Sequence, residues 1–135
     1  MLSGPGLLNL HRFTHSGQGC DAVDGVEAIE APARVTRLAL EGSCAEALSL
    51  FVEAYGAEGW QPGAARGRDV RCVCGGGIAP KILPALQDGR FIEAFRAKGP
   101  MSELAAKIPV NVILAAETGL VGTAVAAREL VLSEK

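Results

Sequence analysis

The run Cys72-Val73-Cys74-Gly75-Gly76-Gly77-Ile78-Ala79-Pro80-Lys81 limits the fold of this chain more than any other segment. A short apolar stretch meets three glycines and then a proline, which reads as a strand, a tight turn and a helix N-terminus. Three adjacent glycines leave backbone without Cβ atoms, so a flat ligand can lie against it. A helix that follows turns its free N–H groups and positive dipole end toward the same place, as at many nucleotide sites. The plain alternative is a glycine turn that only lets strand and helix pack closely. Neither G-x-x-x-x-G-K-[ST] nor G-x-G-x-x-G occurs, so the segment is not a phosphate P-loop or a dinucleotide fingerprint.

The flanking sequence reads mostly as helix. Ser3 is placed to cap a first helix over residues 5–13, with Leu7, Leu8 and Leu10 on its apolar side. Ser16-Gly17-Gln18-Gly19 breaks it. Pro32 opens a second helix over 33–40, stopped by Gly42. Ser43 is read as the cap of a third. Its apolar positions Cys44, Ala47, Leu48, Phe51, Val52 and Tyr55 recur with the 3.6-residue period, and it fades at Gly56 and Gly59. Beyond the glycine turn, residues 80–86 begin a helix that Pro84 ends or kinks. Residues 90–97 form another with Phe91, Ile92 and Phe95 apolar, and Ser102 caps one running to Lys107. Residues 108–114 are rich in β-branched side chains and read as a strand, with Pro109 tolerable near its start or at an edge. Residues 120–130 form a small-residue helix. Gly119, Gly122, Ala124, Ala126 and Ala127 would let it pack tightly on a sheet or another helix. Asp24-Gly25 and Asp88-Gly89 read as turns. The chain is therefore α/β, mostly helices around a few strands. Two strands make a poor sheet by themselves, so it is expected to be part of something larger.

Residues 59–71 have neither helical nor strand periodicity and are dominated by Gly, Pro and Arg, with Trp60 and Pro62 among them. They read as an exposed loop, long for a compact domain.

At 135 residues the chain is one domain, able to bury a core. Its net charge of −2 offers no electrostatic case for nucleic acid or a membrane surface as partner. No apolar run has the length of a membrane span, and the N-terminal residues lack a basic segment followed by a long apolar one. The expected compartment is the cytoplasm. Cys72 and Cys74 point to one face of a strand and suit two small buried thiols. With no Cys or His pair at zinc spacing, no metal ligands are assigned. His11 and His15, four apart, share a helix face and are read as surface residues with neither a metal nor a catalytic role.

Taken together, several ordered motifs resemble the C-terminal portion of a bacterial glucokinase, within the hexokinase, actin and heat-shock-ATPase superfamily. They are Leu2-Ser3-Gly4-Pro5-Gly6-Leu7, Leu50-Phe51 with Tyr55-Gly56-Ala57-Glu58, and Gly75-Gly76-Gly77-Ile78-Ala79-Pro80-Lys81. Phe91 and Phe95 before Lys98-Gly99, and Ile108-Pro109-Val110 before Leu120-Val121-Gly122, complete the set. The resemblance implies the C-terminal part of the large lobe of an actin-like sugar kinase, with residues 1–135 as a single partial domain. The family moves the γ-phosphoryl group of ATP to the 6-hydroxyl of glucose with Mg²⁺. Its base is an Asp in an Asn-Asp pair in the N-terminal lobe. Its sugar-binding His and Glu residues precede the Leu-Ser-Gly motif, and its first phosphate loop is Asp-x-Gly-Gly-Thr. None of these motifs occurs in this sequence, so no catalytic residue is assigned and the chain by itself is expected to be inactive. What carries over is the adenosine side. Gly75, Gly76 and Gly77 match the glycines that back adenine and ribose of ATP or ADP, and Ser3 and Gly4 are assigned a nucleotide-side role. For Ser3 and Gly4 the alternative is a helix cap; for Lys81 the choice lies between attraction to phosphates and a solvated first-turn lysine. Glucose would be reached only through an N-terminal lobe, and the intact family enzyme is expected to be a homodimer. The other reading is an interaction or structural module that kept the fold, lost the chemistry and pairs with a separate N-terminal lobe.

The departure from the family pattern lies at residues 59–73. There the family has Ala-Gly-Asn-Leu-Ala-Leu, continuing a helix, and then Gly-Gly-Val-Tyr at the strand start. Codons can be chosen for Gly59 to Val73 that, read one base over, give Ala-Gly-Asn-Leu-Ala-Leu-Arg-Gly-Ala-Ala-Thr-Cys-Gly-Val. The segment is compatible with a pair of compensating frame changes, or sequencing errors, bracketing it, which the gene sequence tests.

Overall fold

The computed structural model describes residues 2–16, 20–59, 71–115 and 117–133. Helix α1 (Gly4–Thr14) starts at Ser3, whose Oγ accepts the Gly6 N–H at 3.2 Å. Pro5 sits in the first turn, where a missing N–H costs no hydrogen bond. The helix buries Leu7 and Leu8 and half-buries Leu10. Its last turn overturns one expectation: His11 is buried, not on the surface, and its ring stacks on half-buried His15 with centroids 4.0 Å apart. The i,i+4 spacing put both rings on one face correctly, but that face turns inward. Of the Ser16–Gly19 break, Ser16 has a positive φ of 50° and the rest lies outside the described residues.

Helix α2 (Ala31–Leu40) carries Pro32 in its first turn, and Gly42 follows its end with φ 102°. Helix α3 (Ala45–Glu58) is the central element, burying Ala47, Leu48, Phe51 and Val52. Its N-cap is Cys44, not Ser43, and no side chain caps it; the Ser43 N–H instead closes the end of α2 on the Leu38 carbonyl at 2.9 Å. Gly56 does not fray α3. It is buried mid-helix where α5 crosses, and a Cβ there would stand 2.3 Å from the Phe91 carbonyl oxygen. The glycine signals close helix–helix approach, with the helix running on to its C-cap at Gly59.

Both expected strands form. β1 (Cys72–Cys74) and β2 (Val110–Val112) pair in parallel with Cys72 opposite Val110 and Cys74 opposite Val112. The pair is extended by the Cys72 N–H to the Pro109 carbonyl and the Ile113 N–H to the Cys74 carbonyl, both 2.9 Å. Pro109 thus precedes β2, where its carbonyl is used and its missing N–H is not needed. Parallel strands require a long crossover. Here it holds a 3₁₀ turn (Ala79–Ile82), α4 (Leu83–Leu86), α5 (Arg90–Arg96), a second 3₁₀ turn (Gly99–Met101) and α6 (Ser102–Ala106). Pro84 is tolerated because it starts α4, which splits the expected 80–86 helix in two. Ser102 does not cap α6; its Oγ accepts the Lys98 N–H at 3.1 Å and tightens the turn before it.

The core lies between α1, α2, α3, α5 and the first 3₁₀ turn, with Phe51, Phe95, Ile82, Val35 and Val52 fully buried. Each such side chain contributes about 1.5–3 kcal/mol. Helix α7 (Thr118–Ser133) stands apart: none of its residues is buried, and Leu120 is 75% exposed. The tight packing expected of its small residues is not made within the described chain. Among the described residues no helix is long and apolar enough to cross a membrane. The structure is α/β, mostly helical around a two-stranded parallel sheet. Of the atypical segment at 59–73, residues 60–70, with Trp60 and Pro62, lie outside the described residues, while Gly59 caps α3 and Cys72 and Val73 belong to β1.

Candidate functional site

The glycine turn leaves β1 with Gly75, where a Cβ would stand 3.5 Å from the Ile113 side chain, and Gly76 at φ 97°, a conformation that favours glycine. Gly77 has no positive φ, and a Cβ on it would meet nothing within 4 Å. The turn then enters the 3₁₀ segment through the Lys81 and Ile82 N–H groups, both bonded to the Ile78 carbonyl. The long helix dipole expected behind the glycines is therefore reduced to a four-residue 3₁₀ turn and one short turn of α4.

Two adjoining cavities open at this turn. The larger, of about 290 Å³, brings Ser3, Gly4 and Pro5 from the start of α1 together with Gly77, Ile78 and Lys81. Residues 28–36, around the start of α2, close its other side through Ile29, Pro32 and Thr36. The smaller, of about 210 Å³, is lined by Gly75, Gly76, Gly77 and Ile78 over Phe51 and Tyr55 of α3. Phe51, Gly77 and Ile78 belong to both. The three glycines of the turn and Leu2, Ser3 and Gly4 thus line a hollow made of two cavities with shared walls. Ser3 is both a helix cap and a wall residue. Gly4 has a second reason to be glycine, since a Cβ would press on the Pro32 ring at 3.2 Å.

The walls are apolar with few polar groups, as small-molecule sites are. Lys81 is the one charged side chain among the described residues lining the two cavities, and it is exposed. Tyr55 lies edge-on to Phe51 and Phe91, with centroids 6.2 and 5.7 Å away. Burial, and then the Cys74 and Cys72 thiols behind it, push its phenol up to about 12, so it stays protonated and can donate. Cys72 is half-buried, and its thiol donates to the Gly59 carbonyl at 3.5 Å, tying the end of α3 to β1. No carboxylate lines either cavity among the described residues, so the hollow has the donor set for neither Mg²⁺ nor a general base.

The family model for glucokinase matches residues 1–130. The chain belongs to the glucokinase family. A glucokinase of Synechocystis sp. is 40% identical over 106 residues, which make up 76% of this chain and 30% of that protein. A glucokinase of Caulobacter vibrioides is 36% identical over 129 residues, 93% of this chain and 37% of that protein. One of Xylella fastidiosa is 30% identical over 132 residues, 96% of this chain and 37% of that protein. The chain thus spans about a third of the length of the curated glucokinases it matches. No solved structure matches it at a significant level.

The glycine turn and Ser3-Gly4, singled out in the sequence, line this hollow, while its other walls carried no such signal. Phe51 and Tyr55 were legible only as a core stripe of α3, and Pro32 and Thr36 only as helix residues. The one sequence signal for them is the four-residue spacing of Phe51 and Tyr55, which sets both on one helix face. Which face meets the glycine turn depends on how α3 crosses β1.

Proposed function

We propose that this chain is the adenosine side of a glucokinase, the C-terminal part of the large lobe of an actin-like sugar kinase. The Gly75-Gly76-Gly77 backbone backs the adenine and ribose of ATP or ADP, with Ser3 and Gly4 on the same wall. Lys81 stands at the rim for the phosphates. Such a chain holds nucleotide without transferring phosphoryl groups. The family's base, sugar ligands, first phosphate loop and Mg²⁺ would be contributed from the N-terminal lobe, with phosphate oxygens, in an intact cytoplasmic enzyme that makes glucose 6-phosphate. The supporting observation is the convergence of two motifs far apart in sequence on one hollow with a Cβ-free wall at Gly77. A flat apolar base fits such a wall, and a single cation fits an anionic tail.

Calorimetric titration of the purified chain with ATP, ADP and glucose tests the proposal. ATP and ADP are expected to bind with similar affinity and glucose not at all. Gly77→Val fills the wall without demanding a forbidden backbone angle. It should weaken ATP by at least about tenfold, the loss of ~1.4 kcal/mol, and leave the thermal unfolding temperature unchanged. ATP affinity that ignores Gly77→Val, or no nucleotide binding by a folded chain, sinks the idea.

A second reading, a non-catalytic module that pairs with a separate N-terminal lobe, is favoured by α7 with its exposed Leu120, Val121, Leu130 and Leu132. The open, largely apolar cavity of about 430 Å³ between β2, α4 and α5 points the same way. The gene upstream of Met1 separates the two. A neighbouring frame that encodes the Asn-Asp and Asp-x-Gly-Gly-Thr motifs favours a divided glucokinase, and its absence favours the module. The same sequencing run tests whether residues 59–73 are frame-shifted relative to the family.

A further inference from the structure

At the other end of α1 from the hollow, His11, His15, Cys20 and Cys44 converge. Each offers one ligand atom, and these four atoms all lie within 4.8 Å of one another. None of the four residues lines the cavities at the glycine turn. In the sequence the histidines have no neighbouring carboxylate or cysteine as a partner; the fold brings two cysteines, from the loop after α1 and from the N-cap of α3. We propose that this cluster is a structural zinc site of the His₂Cys₂ type.

Three independent observations carry it. His11 is 1% exposed, yet neither Nδ1 nor Nε2 has a hydrogen-bond partner among the described residues. A buried polar atom left so costs about 1–3 kcal/mol, and a metal ion in the cluster satisfies the one ring nitrogen that carries the lone pair. The His15 Nδ1 lies 2.9 Å from the His11 carbonyl oxygen and 3.2 Å from the Thr14 Oγ1; with its proton on Nδ1, the ring donates to that carbonyl. That tautomer leaves Nε2 with the free lone pair, the arrangement by which protein carbonyls orient metal-bound histidines. Third, the donor set has two nitrogens, two sulfurs and no carboxylate. Such a set suits Zn²⁺ and rejects Mg²⁺ and Ca²⁺.

The geometry is close to what the ion requires. Zn–N of about 2.0–2.1 Å and Zn–S of about 2.3 Å put tetrahedral ligands about 3.3–3.8 Å apart, so small side-chain rotations close the site. Four protein ligands leave no open position, and the ion clamps the last turn of α1, the loop at Cys20 and the start of α3. On binding, both thiols give up their protons to solvent, and two thiolates with two neutral imidazoles make a site of zero net charge. A Cys20–Cys44 disulfide would use the same proximity, but it would leave the His11 nitrogens without a partner.

Cobalt(II) titration of the purified chain, followed by zinc competition, tests this. A Cys72→Ser/Cys74→Ala background leaves Cys20 and Cys44 as the only thiols. One Co²⁺ per chain is expected, with tetrahedral d–d bands, a thiolate charge-transfer band, two protons released, and full displacement by Zn²⁺. His15→Ala, at the half-buried edge, should weaken the metal by at least about 100-fold, the upper end of what losing an outer-shell partner costs. His11→Leu should abolish the zinc-induced rise in unfolding temperature while leaving the metal-free chain as stable as before or more so. If the background variant does not fold, Cys20→Ser/Cys44→Ser compared with the unsubstituted chain makes the same assignment. The proposal is overturned by no thiolate–cobalt band in the folded chain, by a band that survives loss of Cys20 and Cys44, or by a Cys20–Cys44 disulfide in protein kept under reducing conditions.

Discussion

Single residues here do work that their type alone does not reveal. Gly56 reads as a helix breaker, yet it sits inside α3 because the α5 backbone needs its space, 2.3 Å from where a Cβ would stand. Backbone cannot rotate aside as a side-chain tip can, so Gly56→Ala should destabilise the fold by about 1–3 kcal/mol despite the better helix propensity of alanine. Urea unfolding measures this; an unchanged midpoint would show that α5 shifts freely. Cys72 carries a pH signature. Burial, and then Cys74 beside it, push its thiol from 9.0 up to about 11. Between those values the unfolded chain has lost a proton that the folded chain keeps, so this contribution is whole below pH 9.0 and falls as pH rises toward 11. Tyr55, at about 12, acts in the same direction at higher pH. Melting at pH 8 and at pH 10.5 should therefore show alkaline destabilisation that Cys72→Ala reduces. Equal melting of the two proteins at both pH values would refute it.

At the scale of elements, helix existence was largely readable and helix mission was not. Apolar positions placed α1, α3 and α5, whose apolar faces are buried in this chain, while Pro32 and Gly42 bracketed α2. The proline at 84 correctly marked a break, and the β-branched run around Val110 and Val112 marked β2. Caps were less legible: Ser43 and Ser102 have the chemistry of N-caps, but each backbone places them one step away from that duty. A hydroxyl or N–H near a helix start has several acceptors and donors in reach, and only the local φ and ψ select among them. Helix α7 is the opposite case, a helix whose apolar side chains stay exposed. Leu120→Asp and Leu130→Asp should each alter the stability of the chain by less than about 0.5 kcal/mol, since both side chains are exposed. Hydrogen exchange should find α7 amides far less protected than those of α3. Strong protection of α7, or a large loss of stability, would mean that its apolar face is covered in solution.

Taken as a whole, this glucokinase-family chain spans about a third of the length of the curated relatives it matches, and its described residues hold a small parallel sheet and one unburied helix. On the reading proposed above, a coupled assay of the purified chain with ATP, Mg²⁺ and glucose yields no glucose 6-phosphate. Product formed at any rate above that of buffer would require a carboxylate base among these residues and would refute the adenosine-side assignment. Addition of a separately expressed N-terminal lobe of a related glucokinase is the complementary experiment, and it should protect α7 from exchange if that helix docks there.

The order of motifs along the chain was enough to place it in its family, because Leu-Ser-Gly, the glycine turn and Ile-Pro-Val are each local and each written in consecutive residues. The glycine turn itself followed from the same local chemistry: a strand cannot pass through three residues without Cβ atoms and a proline and remain a strand. Packing decided the rest. Whether Ser3 meets Gly77, whether Tyr55 lies under the turn, and whether two histidines meet two cysteines all depend on where α1, α3 and β1 cross. Crossing geometry arises from the joint fit of many buried side chains and is carried by no segment of the sequence taken singly.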